Sequence, residues 1–315
     1  MRAGGPGPGG QETCLAPPYA LGLQEIRQLG AVGGLLIGGV YALIALGLNI
    51  VFGTMRVINF AQGTILMAGM FGAYWLWALL GLHPYWSPLA TVPGLFGLGW
   101  LIQWLFVGPL VARERAREPM SVLLLTLGLA LVLENLALLF FAADFKTIPS
   151  GIGRQTFKVA GLIVSVPRLI GLGAMLLTGA ALWLFFTRTD LGRAIRATGQ
   201  DRQVARLMGI DDRRIYNVAF GLSAALMGIA AAVLVPFFYV HPAVGTSFLL
   251  KAFVIVVLGG LGSMPGAALG GLLVGLIEGV VALYLQAAAA QIVLFGLFVA
   301  VVFVRPTGLL GVERQ

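Results

Sequence analysis

Apolar runs long enough to cross a bilayer dominate the chain, and the short stretches between them hold most of the charged residues and prolines. Uninterrupted runs fall at 31–53, 57–80, 91–111, 120–141, 168–187 and 216–236. Each is near the roughly 20 residues that a helix needs to traverse about 30 Å of hydrocarbon. From 250 to 304 the chain stays apolar but is broken by Gly259-Gly260-Leu261-Gly262-Ser263-Met264-Pro265-Gly266. That break predicts a short or discontinuous helix near 250–266, followed by spans near 266–285 and 289–304. The pattern predicts an all-α polytopic membrane protein with eight or nine transmembrane helices. A transmembrane domain over 29–305 would lie between a flexible, Gly/Pro-rich tail at 1–28 and a tail at 306–315.

Composition agrees with this reading. Of 315 residues, 59% are hydrophobic and 10% charged, far from the roughly 25% charged residues of a soluble domain. The formal charge of +8 does not point to nucleic acid, because the arginines sit in separate loops rather than on one basic surface. They report topology instead, since loops facing the cytoplasm carry the excess of Lys and Arg. If the chain crosses nine times, Arg56, Arg113, Arg115, Arg117, Arg188, Arg193, Arg196, Arg202, Arg206, Arg213, Arg214, Arg305 and Arg314 share one side. Arg2, Arg27, Lys146, Arg154, Lys158, Arg168 and Lys251 fall opposite. Thirteen against seven predicts the N-terminus outside and the C-terminus in the cytoplasm.

Several chemistries are poorly supplied. Cys14 is the one cysteine, and His83 and His241 are the two histidines, so a disulfide framework or a Cys/His metal site has no ligands. Both histidines precede proline with no carboxylate nearby in sequence, which favours loop positions over a catalytic pair. Lys146, Lys158 and Lys251 are the only lysines and none follows a glycine, so no phosphate-binding Gly-Lys-Ser/Thr loop exists. Any ATP hydrolysis that drives transport must come from partner chains. The many glycines, recurring as Gly33-Gly34, Gly38-Gly39, Gly259-Gly260 and Gly270-Gly271, suit close helix approach in lipid.

The segment Thr189 to Asp211 within the loop 188–215 is too patterned for a connector. Thr189 or Asp190 can cap a short helix with Ala194, Ile195 and Ala197 on a small-residue face. Gln200 or Asp201 can cap a second, in which Val204, Ala205, Leu207 and Met208 form an apolar stripe ending at Gly209. Two amphipathic helices with small residues suit docking of a partner protein; an interfacial pair lying on anionic headgroups is the competing reading.

In this loop Gly192, Arg193, Ala194, Arg196, Ala197, Asp201, Ala205, Gly209 and Ile210 follow, in order, a pattern similar to that of the branched-chain amino acid permeases of ABC importers, the LivH-type subunits. Two more segments resemble the same family. One runs from Gly39 to Asn49 and through Phe52-Gly53 to Ile58-Asn59-Phe60-Ala61-Gln62-Gly63; the other spans Val257 to Ala267 and matches a broken-helix motif. The resemblance covers about 31–285. It implies a permease of the bacterial cytoplasmic membrane in which the loop engages two ATP-binding subunits. It also implies a second permease subunit, LivM-like or a second copy, and an external substrate-binding protein. ATP would be bound by the partners, with no cofactor on this chain. One departure is Thr64, where the family commonly has an acidic residue; urea and short amides, carried by close relatives, therefore stay open as substrates.

Polar groups inside spans are costly and mark pathways or packing. Asn59, Gln62, Glu134, Asn135, Gly259, Gly260, Gly262, Ser263 and Glu278 are the candidates for the translocation path, and Glu278 could pair with a donor from another helix. An ion-coupled carrier, with Glu134 and Glu278 as ion sites, shares the composition but does not predict the arginine-rich two-helix loop.

Overall fold

The computed structural model describes residues 23–113, 119–141, 143–148, 156–159, 162–285, 287–305 and 307–310. Cys14, Arg115, Arg117, Arg154 and Arg314 lie outside the described residues, as does most of the stretch expected as an N-terminal tail. The chain runs through α1 (Leu23–Met55), α2 (Ala61–Leu80), α3 (Pro88–Ile102), α4 (Gly108–Arg113) and α5 (Pro119–Phe141). A π-helical turn, Gln103–Val107, joins α3 to α4, so the third apolar run is one continuous span. After an antiparallel hairpin, β1 (Thr156–Val159) and β2 (Leu162–Ser165) with Thr156 opposite Ser165, come α6 (Val166–Arg188), α7 (Asp190–Gln200), α8 (Arg202–Leu207) and α9 (Asp212–Leu234). The chain ends in α10 (Val244–Gly259), α11 (Met264–Tyr284) and α12 (Ala287–Val304).

Among the described residues, 7 helical stretches are long and apolar enough to cross a membrane, and two shorter apolar helices, Val244–Gly259 and Ala289–Val304, accompany them. The architecture is that of an all-helical polytopic membrane protein. Two sequence expectations need adjustment. Helix α1 begins at Leu23, inside the expected tail. At the Gly/Pro stretch the short helix forms and not the discontinuous one: α10 stops at Gly259, Gly260 and Gly262 turn with φ of 108° and 86°, and α11 runs back antiparallel.

Helix α1 is the centre, packed on α6, α7, α9, α10 and α11. Its contact with α11 is dictated by glycines at every fourth position, Gly30, Gly34 and Gly38 on one helix and Gly271, Gly275 and Gly279 on the other. That spacing puts each set on a single helix face. A Cβ on Gly34 would stand 2.5 Å from the Gly275 carbonyl oxygen, one on Gly279 would stand 2.5 Å from the Gly34 Cα, and one on Gly275 would overlap the Cα of Gly38. The backbones therefore touch along three helical turns. Gly63 of α2 and Gly245 of α10 meet in the same way, each occupying the space of the other's missing Cβ. Lipid tails are as apolar as leucine, so helices associate by such close packing rather than by escaping their solvent.

One end of this bundle gathers Arg56, the α7–α8 loop and the α10–α11 turn. There the C-terminal segment docks too: Leu309 N donates to Leu258 O at 2.8 Å and Leu310 N to Gly259 O at 3.1 Å, satisfying carbonyls that the end of α10 leaves free. Lys146 lies at the opposite end, its backbone paired with that of Val240 and its ammonium 5.3 Å from the centre of the Trp75 ring. Lys251 is not a loop residue at all but sits within α10, which lowers the smaller charge count from seven to six and strengthens the asymmetry.

The glycine seam yields a direct prediction. Gly275→Ala should cost about 1–3 kcal/mol by overpacking, read as a lower thermal midpoint of the purified protein in detergent. Gly173→Ala on α6, where nothing lies within 4 Å of the added methyl, should be neutral or gain up to about 1 kcal/mol in helix propensity. Equal midpoints for the two variants would show that the α1–α11 seam does not hold the bundle.

Candidate functional site

The arginine-rich loop is built by three caps. The Thr189 hydroxyl donates to Phe185 O at 2.6 Å and accepts from Gly192 N at 3.0 Å, closing α6 and opening α7. Asp201 Oδ1 accepts from Gln203 N at 2.8 Å and Val204 N at 3.1 Å, starting α8. That helix ends in a Schellman motif: Gly209 has φ of 82°, its N–H donates to Arg206 O at 3.0 Å, and Ile210 N donates to Ala205 O at 3.1 Å.

Two contacts bolt the loop to the membrane domain. At the first, Gly199 of α7 lies directly on the Gly53 carbonyl of α1, with no space for a Cβ. Beside it Arg56, in the left-handed region at φ 56°, donates from Nη2 to Gly199 O at 3.4 Å and Gln200 O at 3.0 Å. These are end carbonyls of α7, where a cation also complements the helix dipole. At the second, Asp212, whose side chain is 8% exposed, accepts from Arg202 Nε and Arg206 Nη2, both at 2.6 Å on the same oxygen. The Arg202 guanidinium also lies 5.3 Å from the centre of the Tyr216 ring. The hydrogen bond from Arg206 to Asp212 raises the Arg206 pKa further, so the clamp keeps its charge at any physiological pH.

Held this way, the loop presents an apolar surface outward: Leu207 is 86% and Met208 78% exposed, with Val204 and Leu191 also exposed. The nine motif positions divide by side. Gly192 and Ala205 are buried against the membrane domain, Ala194, Ala197 and Ile210 are half-buried, Arg193, Asp201 and Gly209 face out, and Arg196 is exposed toward the inner side. The motif match alone did not separate these faces. Nor did it select Arg56 or Asp212, for which the only sequence signal was the four-residue spacing of Arg202 and Arg206 ahead of an acidic pair.

Against the loop's inner side lies a cavity of about 920 Å³, lined by Asn49, Gly53 and Arg56 of α1, Met175 and Trp183 of α6, Arg196 of α7, and Gly262 to Pro265 at the start of α11. Gly262 N donates to Asn49 Oδ1 at 2.8 Å. Asn49 is 1% exposed, and its Nδ2 has no hydrogen-bond partner among the described residues. Ser263 caps α11 by accepting from Gly266 N at 3.2 Å, with Pro265 in the first turn, where its missing N–H costs nothing.

The structure divides the remaining polar candidates into three groups. Asn59 and Gln62, both 1% exposed, form a buried network away from that cavity: Asn59 Nδ2 donates to Gln62 Oε1 at 3.2 Å and Gln62 Nε2 to Ser223 O at 3.3 Å. Ser223 Oγ in turn donates to Gly47 O at 2.6 Å, so the set ties α1, α2 and α9 together. Glu134 is half-buried and Asn135 exposed on α5, where Asn135 Nδ2 bonds only its own helix at Leu131 O. Glu278 meets Lys251 of α10 at 2.6 Å, a donor from another helix. Gly259 is buried where α10 crosses α11, and Gly260 begins the turn. Thr64 is 3% exposed, with its hydroxyl donated to Ala61 O at 2.9 Å, and it does not line the cavity. Both histidines order turns, His83 Nδ1 accepting from Tyr85 N and His241 Nδ1 from Ala243 N. Among the described residues no group of three His, Cys, Asp or Glu could hold a metal ion.

Residues 30–302 match the family described as branched-chain amino acid transport system, permease component. The high-affinity branched-chain amino acid transport permease BraD of Pseudomonas aeruginosa is 34% identical over 295 residues, covering 89% of this chain and 94% of that protein. The permease LivH of Escherichia coli K12 is 31% identical over 294 residues, 88% of this chain and 93% of its own. The probable LivH of Methanocaldococcus jannaschii is 28% identical over 298 residues, 89% and 91%. No solved structure matches.

The Asp212 clamp is testable by itself. Asp212→Asn should speed amide exchange across 202–208 about tenfold or more, the loss expected for hydrogen bonds to charged groups, while the middle of α9 keeps its protection. Unchanged exchange in α8 would show that the two arginines do not hold the loop.

Proposed function

The chain belongs to the branched-chain amino acid transport permease family, and on that premise we propose that it is the membrane-spanning subunit of an ABC importer for branched-chain amino acids in the cytoplasmic membrane. The observation that carries the proposal is the exposed apolar surface of Leu191, Val204, Leu207 and Met208 on a two-helix loop clamped at the arginine-rich end of the bundle. Large exposed apolar side chains mark an interaction site. Two ATP-binding subunits, reached by this loop and by its counterpart on a second permease, hydrolyse the ATP. An external binding protein delivers the amino acid at the opposite end. The arginine excess supports an orientation with the loop and the C-terminus in the cytoplasm and the N-terminus outside.

Closure of the ATP-binding subunits pushes on α7 and α8. The push reaches α1 through Gly199 on Gly53 and through Arg56, and reaches the α10–α11 turn through the Asn49–Gly262 hydrogen bond. Helices packed backbone to backbone cannot deform locally, so they move as units. The cavity between these contacts is the inner half of the path. Gly262 and Ser263 line it; Asn59 and Gln62 act by holding α1, α2 and α9 in register.

An amide or urea importer of the same family is the second reading, raised by Thr64. Its buried, internally bonded position makes it a packing residue, so it gives no support to a urea or amide substrate. For an ion-coupled carrier Glu278 would have to serve as an ion site, whereas its carboxylate is already paired with Lys251 at 2.6 Å.

Replacing the exposed pair, Leu207→Asp with Met208→Asp, should weaken capture of the ATP-binding subunits at least about tenfold, since apolar interface anchors dominate such contacts. Co-purification from membranes reads this out, with Gln203→Ala as the control that should bind normally. Full retention of the ATP-binding subunits by the double variant would remove the loop as the docking surface, and transport by the chain alone on an ion gradient would replace the importer with a carrier.

A further inference from the structure

At mid-depth the bundle holds a charged cluster that neither the coupling route nor the inner cavity uses. Lys251 Nζ donates to Glu278 Oε1 at 2.6 Å and to Tyr41 Oη at 2.8 Å. The ammonium also stands 4.7 Å from the centre of the Tyr41 ring. Lys251 lies eight residues before the end of α10 at Gly259, about 12 Å above the inner turn at 1.5 Å per residue. The pair is not sealed: the two side chains keep 18% and 26% of their exposure. Glu278 Oε2 is buried with no hydrogen-bond partner among the described residues, while Tyr41 also lies within hydrogen-bonding reach of the Glu278 carboxylate.

An ion pair facing hydrocarbon is costly, and intramembrane charges face a bundle interior or a water-filled cavity. The face of α10 around Lys251 is partly open. Thr246 and Ser247, about one turn toward the outer end, are exposed, and so is Leu250 beside Lys251. Two hydroxyl side chains thus lie outward of one cation, one anion and one apolar side chain.

We infer that Lys251 and Glu278 are the substrate-recognition pair, binding the carboxylate and the ammonium of a zwitterionic amino acid by exchanging their mutual contact for the two charges of the substrate. Tyr41 holds Lys251 in place while the pair is parted, and Leu250 contacts the aliphatic side chain. The site then passes its cargo to the inner cavity about 12 Å below. This rests on the importer reading above, and it locates at the membrane subunit a check for the paired charges common to all amino acids.

The test separates a binding pair from a structural one. In the complete transporter with its binding protein, reconstituted in liposomes, Lys251→Met and Glu278→Gln each leave one buried charge alone and should lower leucine uptake. A purely structural pair would be rescued by the apolar double variant Lys251→Met/Glu278→Leu, because well-packed hydrophobic residues commonly replace a buried ion pair without loss. We expect that double variant to co-purify with its partners as the wild type does, yet to stay about tenfold or more below wild-type uptake, the scale set by losing a desolvated charge contact. Uptake within twofold of wild type would overturn the assignment. Should the apolar pair fail to assemble, the swapped pair Lys251→Glu/Glu278→Lys decides, since it keeps both charges and inverts their order: restored uptake makes the pair structural, and an assembled but inactive transporter supports recognition. A wild-type transporter that moves no amino acid at all would instead overturn the importer reading.

Discussion

Backbone contact between α1 and α11 is the constraint from which the rest of the molecule follows. In lipid there is no hydrophobic gain from pressing two apolar helices together, so the association must come from dispersion between closely approached atoms and from hydrogen bonds. Glycines at four-residue spacing on both helices supply that approach, with missing Cβ atoms whose places are taken by the facing backbone. Because α1 also touches α6, α7, α9 and α10, its position sets those of the others. The same device recurs where Gly63 meets Gly245 and where Gly199 meets Gly53, which carries close packing from the membrane to the loop outside it.

Close packing leaves little room for polar groups, and the structure satisfies most of them in small sets that bridge helices. The Asn59–Gln62–Ser223–Gly47 set ties three helices. Lys251, Glu278 and Tyr41 tie α10, α11 and again α1. At the arginine-rich end charged side chains do the same. Asp212 gathers two guanidiniums while Arg56 reaches the end of α7. A loop fastened at both its helices moves only with the domain that holds it, which is what transmission of a push requires.

Much of this was legible in the sequence because it depends on local chemistry. The apolar runs predicted the spans to within a few residues, since length and hydropathy alone decide whether a segment can cross a bilayer. Thr189, Asp201 and Gly209 were recognisable as caps, because a cap bonds backbone groups only a few residues away. The pairing of Glu278 with a donor on another helix was foreseeable from its cost in isolation, and Lys251 stood out as a charge inside an apolar run, but nothing in the sequence joined the two. The start of α10 at Val244 was not legible, because Gly245, Thr246 and Ser247 open it without apolar character. The break after Gly259 was legible, and the antiparallel packing of Gly259 on Gly266 turned it into a reversal.

By itself, the sequence determined that the chain lives in a membrane as a bundle of helices, that its arginines collect at one end, and that a capped two-helix loop sits among them. These are properties of hydropathy, propensity and neighbouring residues. Only the tertiary structure decided which polar groups meet: it separated Asn59 and Gln62 from the cavity, put Asn49 beside Gly262, set Glu134 apart on α5, and brought Lys251 to Glu278. The loop's Leu207 and Met208 likewise became an exposed surface, and Gly192 and Ala205 a buried one, only once α7 and α8 had packed. The physical reason is common to all of these. A side chain's partner across helices depends on the rotation and crossing of each helix, and those are set by where glycine lets two backbones touch.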